Sequence, residues 1–138
     1  MNNLRVARIA TIDYKDGFPH IVPICFVFDE SRFFTSLRKG NKRYNNIIEK
    51  SLISMVFDEY EEKDDHWITL KGIFMKVKAR FLNFHDHKKQ FMEGWKLLIE
   101  KYPQYRNWAN SDLSPTDPES RCIMQMDPIS IISWGFTR

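Results

Sequence analysis

A mainly β (α+β) fold, an antiparallel β-barrel with one short and one longer helix at its ends, is what this sequence predicts. Three observations carry it. Segments rich in Val, Ile, Phe and Thr are separated by short polar turns. Only two stretches have a helical character. The resulting order, β-β-β-α-β-β-α-β, leaves hairpins dominant and parallel crossovers scarce, unlike a doubly wound sheet. The 138 residues make one domain, residues 1–138, and 43% of them are hydrophobic, so a core can form without staples. Fourteen per cent aromatic residues, eleven Phe among them, argue against disorder.

Residues 6–12 alternate as a first strand. Tyr14-Lys15-Asp16-Gly17 supplies a turn, with Gly17 free to take positive φ. A second strand spans residues 18–28, and Pro19 and Pro23 place part of it on an edge or at a bulge. Asp29-Glu30-Ser31 turns the chain into a third strand, residues 32–36. Asn41 caps a short helix over residues 42–50, with Ile47 and Ile48 on its buried face. Residues 52–57 are a fourth strand, 58–65 an acidic loop, and 66–84 a long strand with a bulge or bend at Gly72. The longer helix starts from a cap at Asn83 or Asp86. It presents Phe91, Trp95, Leu98 and Ile99 on one face and stops at Pro103. Residues 104–120 read as loop, and 121–134 as a last strand broken at Asp127-Pro128.

Several classes are excluded early. Cys25 and Cys122 sit in apolar stretches as small hydrophobes, which rules out a disulfide scaffold and suits a reducing cytoplasm. No apolar run approaches the ~18 residues of a membrane span, and residues 1–11 lack a secretory pattern. A net charge of +3 does not argue for nucleic acid. His85-Asp86-His87 lacks a third ligand and a facing geometry, so no metal site is expected. No Ser-His-Asp pattern, nucleophile elbow or carboxylate pair stands out, and the catalytic residues stay unknown.

The basic segment Arg38, Lys39, Lys42 and Arg43 carries the chemical signal. It leads from a strand end into a helix N-terminus. Cationic side chains and free backbone N–H groups there suit a phosphate dianion, and Thr35 and Ser36 add hydroxyls. From composition alone a solvated charge run is the favoured reading, and Tyr44 is the only aromatic available for a nucleic-acid surface.

Larger pieces of the sequence form an ordered set. Residues 6–13, the glycine turn, Pro19-His20-Ile21-Val22-Pro23 and Asp29 come first. The basic segment before Asn46-Ile47, then Asp58-Glu59-Tyr60, Trp67 and Gly72 follow. Lys101-Tyr102-Pro103-Gln104-Tyr105 and Ser133-Trp134-Gly135 close the set. Taken in order over nearly the whole chain, it resembles the pyridoxamine 5'-phosphate oxidase-like family of FMN-binding split barrels. Within that family the nearer likeness is to a branch assigned to the deazaflavin coenzyme. The Trp and Arg that often follow in that branch are replaced here by Ile68, Thr69, Leu70 and Lys71. The resemblance implies a split β-barrel homodimer with FMN at its interface, or the deazaflavin coenzyme as the alternative. The chemistry it implies is two-electron redox on a small molecule, with a non-catalytic flavin- or haem-binding module as the other class. It implies Pro23, Ile24 and Cys25 along the flavin ring and Thr35, Ser36, Lys39, Lys42 and Arg43 at the phosphate. Trp134 comes beside the ring and Trp67 from the second chain. Bottom-up, the prolines equally protect an edge strand, and sealing the barrel is the favoured reading of Trp134.

Overall fold

The computed structural model describes residues 5–62 and 68–135. Seven strands form one wholly antiparallel sheet in the order β2-β1-β5-β6-β7-β4-β3. They are β1 (Ala7–Ile12), β2 (Pro19–Ile24), β3 (Val27–Asp29), β4 (Arg32–Arg38), β5 (Leu52–Glu62), β6 (Ile68–Asn83) and β7 (Arg121–Trp134). The two edge strands, β2 and β3, are joined by Cys25 and Phe26 alone. A two-residue link reaches only about 7 Å per added pair of residues. The sheet therefore has to curl until its edges meet, and the barrel is split where they face each other.

Alternation fills the interior. Ala7, Ile9 and Thr11 of β1 point inward, and Phe33, Met55, Met75 and Met124 meet them there. Phe57 sits between Phe26 and Phe33, with ring centroids 4.7 and 5.2 Å away. Residues 122–126 are buried on both faces. Their even members line the barrel, while Ile123 lies under a helix. That double cover explains why apolar residues fill every position of the stretch but Gln125.

Two α-helices flank the sheet. Asn41 caps α1 (Lys42–Glu49), its Oδ1 accepting from Tyr44 N at 2.8 Å. α2 (Lys88–Lys101) lays Phe91, Trp95, Leu98 and Ile99 on the outer face of the sheet, and a 3-10 helix, Pro103–Trp108, follows.

The structure corrects several expectations. The second strand is two, parted at Cys25-Phe26, because the chain crosses the split there. The third strand runs two residues further, and β5 continues through the acidic segment to Glu62 because β6 pairs with it that far. Ile48 is exposed; Asn46 and Ile47 are the buried pair of α1. Neither Asn83 nor Asp86 caps α2, which starts from His87 without a side-chain cap. Part of the expected loop is the 3-10 helix. Gly72 pairs in register with Asp58 and Trp134, and the bulge falls between Lys76 and Val77 instead, opposite Pro128 and Ser130. β7 is thereby bulged, not broken. Cys25 is half-buried, while Cys122 is buried.

Candidate functional site

The end of β4 and the start of α1 hold the basic segment, and the fold divides it. Lys42 turns to Asp13, its Nζ 2.5 Å from Oδ2. That hydrogen bond, with backbone N–H groups of Lys15 and Asp16, holds the Asp13 carboxyl at about 2. Asp13 and Lys42 line a 390 Å³ pocket with Tyr14, Asp16 and Asn45, whose carboxylates oppose a dianion. Lys39 is fixed by its backbone, which donates to Ser120 O at 2.9 Å.

Arg43 goes the other way. It is half-buried, and burial lowers its pKa. It lies near Tyr105, as does Arg121, and burial pushes the Tyr105 hydroxyl up to about 12. Arg121 opens β7 directly opposite Arg38 of β4. Its Nη1 donates to Ser36 Oγ at 3.5 Å, and its guanidinium lies 4.8 Å over the Trp108 ring. Burial and then Arg38 lower the pKa of Arg121. Like charges directly opposite in a ladder destabilise it by up to about 1 kcal/mol. Among the described residues no ion pair reaches Arg38, Arg43 or Arg121. Arg43 and Arg121, both partly desolvated, with the exposed Arg38 opposite Arg121, are an arrangement that an anion completes. An oxyanion with several acceptors matches it best.

The remaining predicted residues lie at the split and at the far end of β7. Thr35 is buried and its Oγ1 donates to Cys25 O at 2.6 Å, spanning the gap between the edges. Ile24 is buried in the barrel, whereas Pro23 is exposed on the β2 edge. Pro19 and Pro23 share strand parity, so both missing N–H groups fall on one side and the β1 ladder survives. Burial raises the Cys25 thiol. Trp134 is 39% exposed and its indole covers Gly72. Trp67 lies outside the described residues. Residues 131–134 of β7 are exposed on both faces, Ile131 and Ile132 among them.

Sequence reasoning missed Arg121, with Trp108 under its guanidinium, and Tyr105, which lies near both Arg43 and Arg121. Arg121 is far from the basic segment in sequence, and only the β4–β7 register brings them together. Among the described residues no group of three His, Cys, Asp or Glu side chains could hold a metal, and His85 contacts Glu119 instead. No helix among them is long and apolar enough to cross a membrane.

A family model described as pyridoxamine 5'-phosphate oxidase matches residues 1–135. No curated protein matches the sequence. Solved structures share the fold at low identity. A heme storage protein, HutZ, from Vibrio cholerae is 14% identical with a TM-score of 0.70, over 93% of this chain and 84% of that one. A FAD-binding protein from Mesorhizobium loti is 19% identical with a TM-score of 0.65, over 94% and 83%. An F420 reductase is 15% identical with a TM-score of 0.62, over 92% and 88%. Likeness at this identity carries the fold alone.

Proposed function

Because the chain belongs to the pyridoxamine 5'-phosphate oxidase family, we propose that it is a flavin-binding oxidoreductase. In this reading it holds FMN between two copies of itself and acts on a small molecule by two-electron chemistry. The observation that carries it is Arg121, bonded to Ser36 and opposite Arg38, with Arg43 near the same Tyr105. A flavin phosphate is a dianion with several acceptors, which three guanidinium groups and a hydroxyl match. FMN supplies the redox chemistry when bound. The residues of this chain bind and orient it: Arg43, Arg121 and Arg38 at the phosphate, and Pro23 with Trp134 for the ring. The exposed apolar end of β7 supports a second copy covering that end of the site, since large exposed apolar stretches mark interfaces. Two free thiols suit a reducing, cytoplasmic setting.

The absorption spectrum of the purified protein tests the cofactor. Two visible and near-ultraviolet bands mark a flavin, one dominant band the deazaflavin coenzyme, and a Soret band haem. Titration with FMN tests the site. Arg43→Ala and Arg121→Ala each weaken binding by about 1.5–3 kcal/mol, the range for a charge-assisted hydrogen bond. Lys42→Ala weakens it less, because Asp13 already holds that ammonium. Unchanged affinity in both arginine variants places the phosphate elsewhere. Light scattering reports the dimer, and a mass near one chain at micromolar concentration removes the shared site.

A further inference from the structure

Beside the bulge in the β6–β7 ladder, the outer face of the sheet carries a row of side chains that the flavin reading does not use. Met75 and Val77 point into the barrel, so Lys76 between them points out. Ser54 of β5 lies directly opposite Lys76 on one side, and Ser130 of β7 on the other. Side chains directly opposite in a ladder start about 5 Å apart, so one ammonium stands between two hydroxyls. Lys76 and Ser130 are exposed and Ser54 is half-buried. Among the described residues no hydrogen bond or ion pair engages any of these side chains. The carboxylate of Asp127 belongs to the next outward row, opposite Lys78.

The row borders an apolar cavity. Leu52, Ile53, Ser54, Lys76, Val77 and Ile129 line a space of 280 Å³. Ile129 is the residue that the bulge inserts: Pro128 pairs with Val77, Ser130 pairs with Lys76, and Ile129 has no partner between them. Leu52 is 53% exposed and Ile129 59%. Either alone is ordinary surface, but both border one cavity whose only charged wall is Lys76. Covering them with an apolar group is favourable, and the ammonium beside them then needs an anion in place of water. A carboxylate supplies one negative charge and acceptors that an ammonium and two hydroxyls answer.

We propose that this face binds a small apolar carboxylic acid, its carboxylate on Lys76 between Ser54 and Ser130 and its hydrocarbon tail in the cavity between Leu52 and Ile129. An alcohol of the same length leaves the ammonium unanswered. A short acid such as acetate leaves the aliphatic rim uncovered. A single cation neutralises one negative charge and not two, which separates this ligand from a phosphate dianion. The site shares no residue with the arginines that the flavin reading uses, and it stands or falls without the cofactor.

Calorimetric titration of the full-length protein with octanoate at pH 7 tests it. Octanoate is expected to bind at least about fivefold tighter than octanol or acetate, the scale of one charge-assisted hydrogen bond or of a covered aliphatic rim. Lys76→Gln and Leu52→Ser are each expected to weaken octanoate by at least about fivefold with the circular dichroism unchanged. Lys96→Gln, on the exposed side of α2, is expected to leave it unchanged. In the unaltered protein, saturating octanoate is expected to slow acetylation of Lys76 by an N-hydroxysuccinimide ester at least about fivefold relative to Lys96, read from peptide masses. Octanol binding as tightly as octanoate, a smaller loss in either folded variant, an equal loss in Lys96→Gln, or a Lys76 that octanoate does not protect overturns the proposal. If the variants do not fold, the protection of Lys76 in the unaltered protein decides alone.

Discussion

Tyr102→Phe removes one oxygen, and the structure says what that costs. The Tyr102 hydroxyl lies 3.0 Å from Phe26 N, 2.8 Å from Phe26 O and 2.7 Å from Arg5 O. It accepts from the Phe26 amide, and its single proton serves one of the two carbonyls. Phe26 is fully buried and lies in the link across the split, outside every strand ladder. Without the hydroxyl its amide loses its partner, and one carbonyl loses a donor. A buried group left unsatisfied costs about 1–3 kcal/mol. Two such groups make about 2–6 kcal/mol, against the 5–15 kcal/mol stability of a typical domain. Urea unfolding followed by tryptophan emission measures it. With a slope of about 2 kcal/mol per molar, the midpoint drops by roughly 1–3 M. A loss under about 0.5 kcal/mol refutes the reasoning, because it means that the link at Phe26 is satisfied some other way.

Two further outcomes follow from the same contacts. Asp13 sits at about 2, below its ordinary 3.8, so the folded state binds fewer protons than the unfolded one. Its contribution is present above about pH 3.8 and is lost as pH falls through about 2. Asp13→Asn should therefore flatten the acid limb of a stability–pH curve, and an unchanged limb counts against the Lys42 pairing. In Gly72→Ala the new Cβ meets Trp134 Cζ2 at 2.1 Å, so the indole has to move. Such overpacking costs about 1–3 kcal/mol and shifts tryptophan emission to the red, whereas an unshifted spectrum shows the ring was never seated there.

Much of the fold was readable along the chain. Alternation in residues 6–12 and the i, i+4, i+7, i+8 face of Phe91, Trp95, Leu98 and Ile99 are local signals, and both elements stand where they point. The Asn41 cap is equally local. The failures are of another kind. An acidic segment reads as loop until a partner strand is known, and β6 pairs β5 as far as Glu62. Ile48 is apolar yet exposed, because α1 touches the sheet along a single narrow face.

The candidate site divides the same way. Residue type and order alone picked out the basic segment as a phosphate candidate, because charge and hydroxyl chemistry belong to each side chain wherever it lies. Only the tertiary structure decided which cations stay free. Lys42 is neutralised by Asp13, which the β1–β2 turn brings to the start of α1. Arg121 becomes a neighbour of Arg38 through the β4–β7 register. Neither contact leaves a trace in sequence spacing. Electrostatic partners are set by distance through space, and the barrel's closure brings distant stretches of chain within a few ångströms.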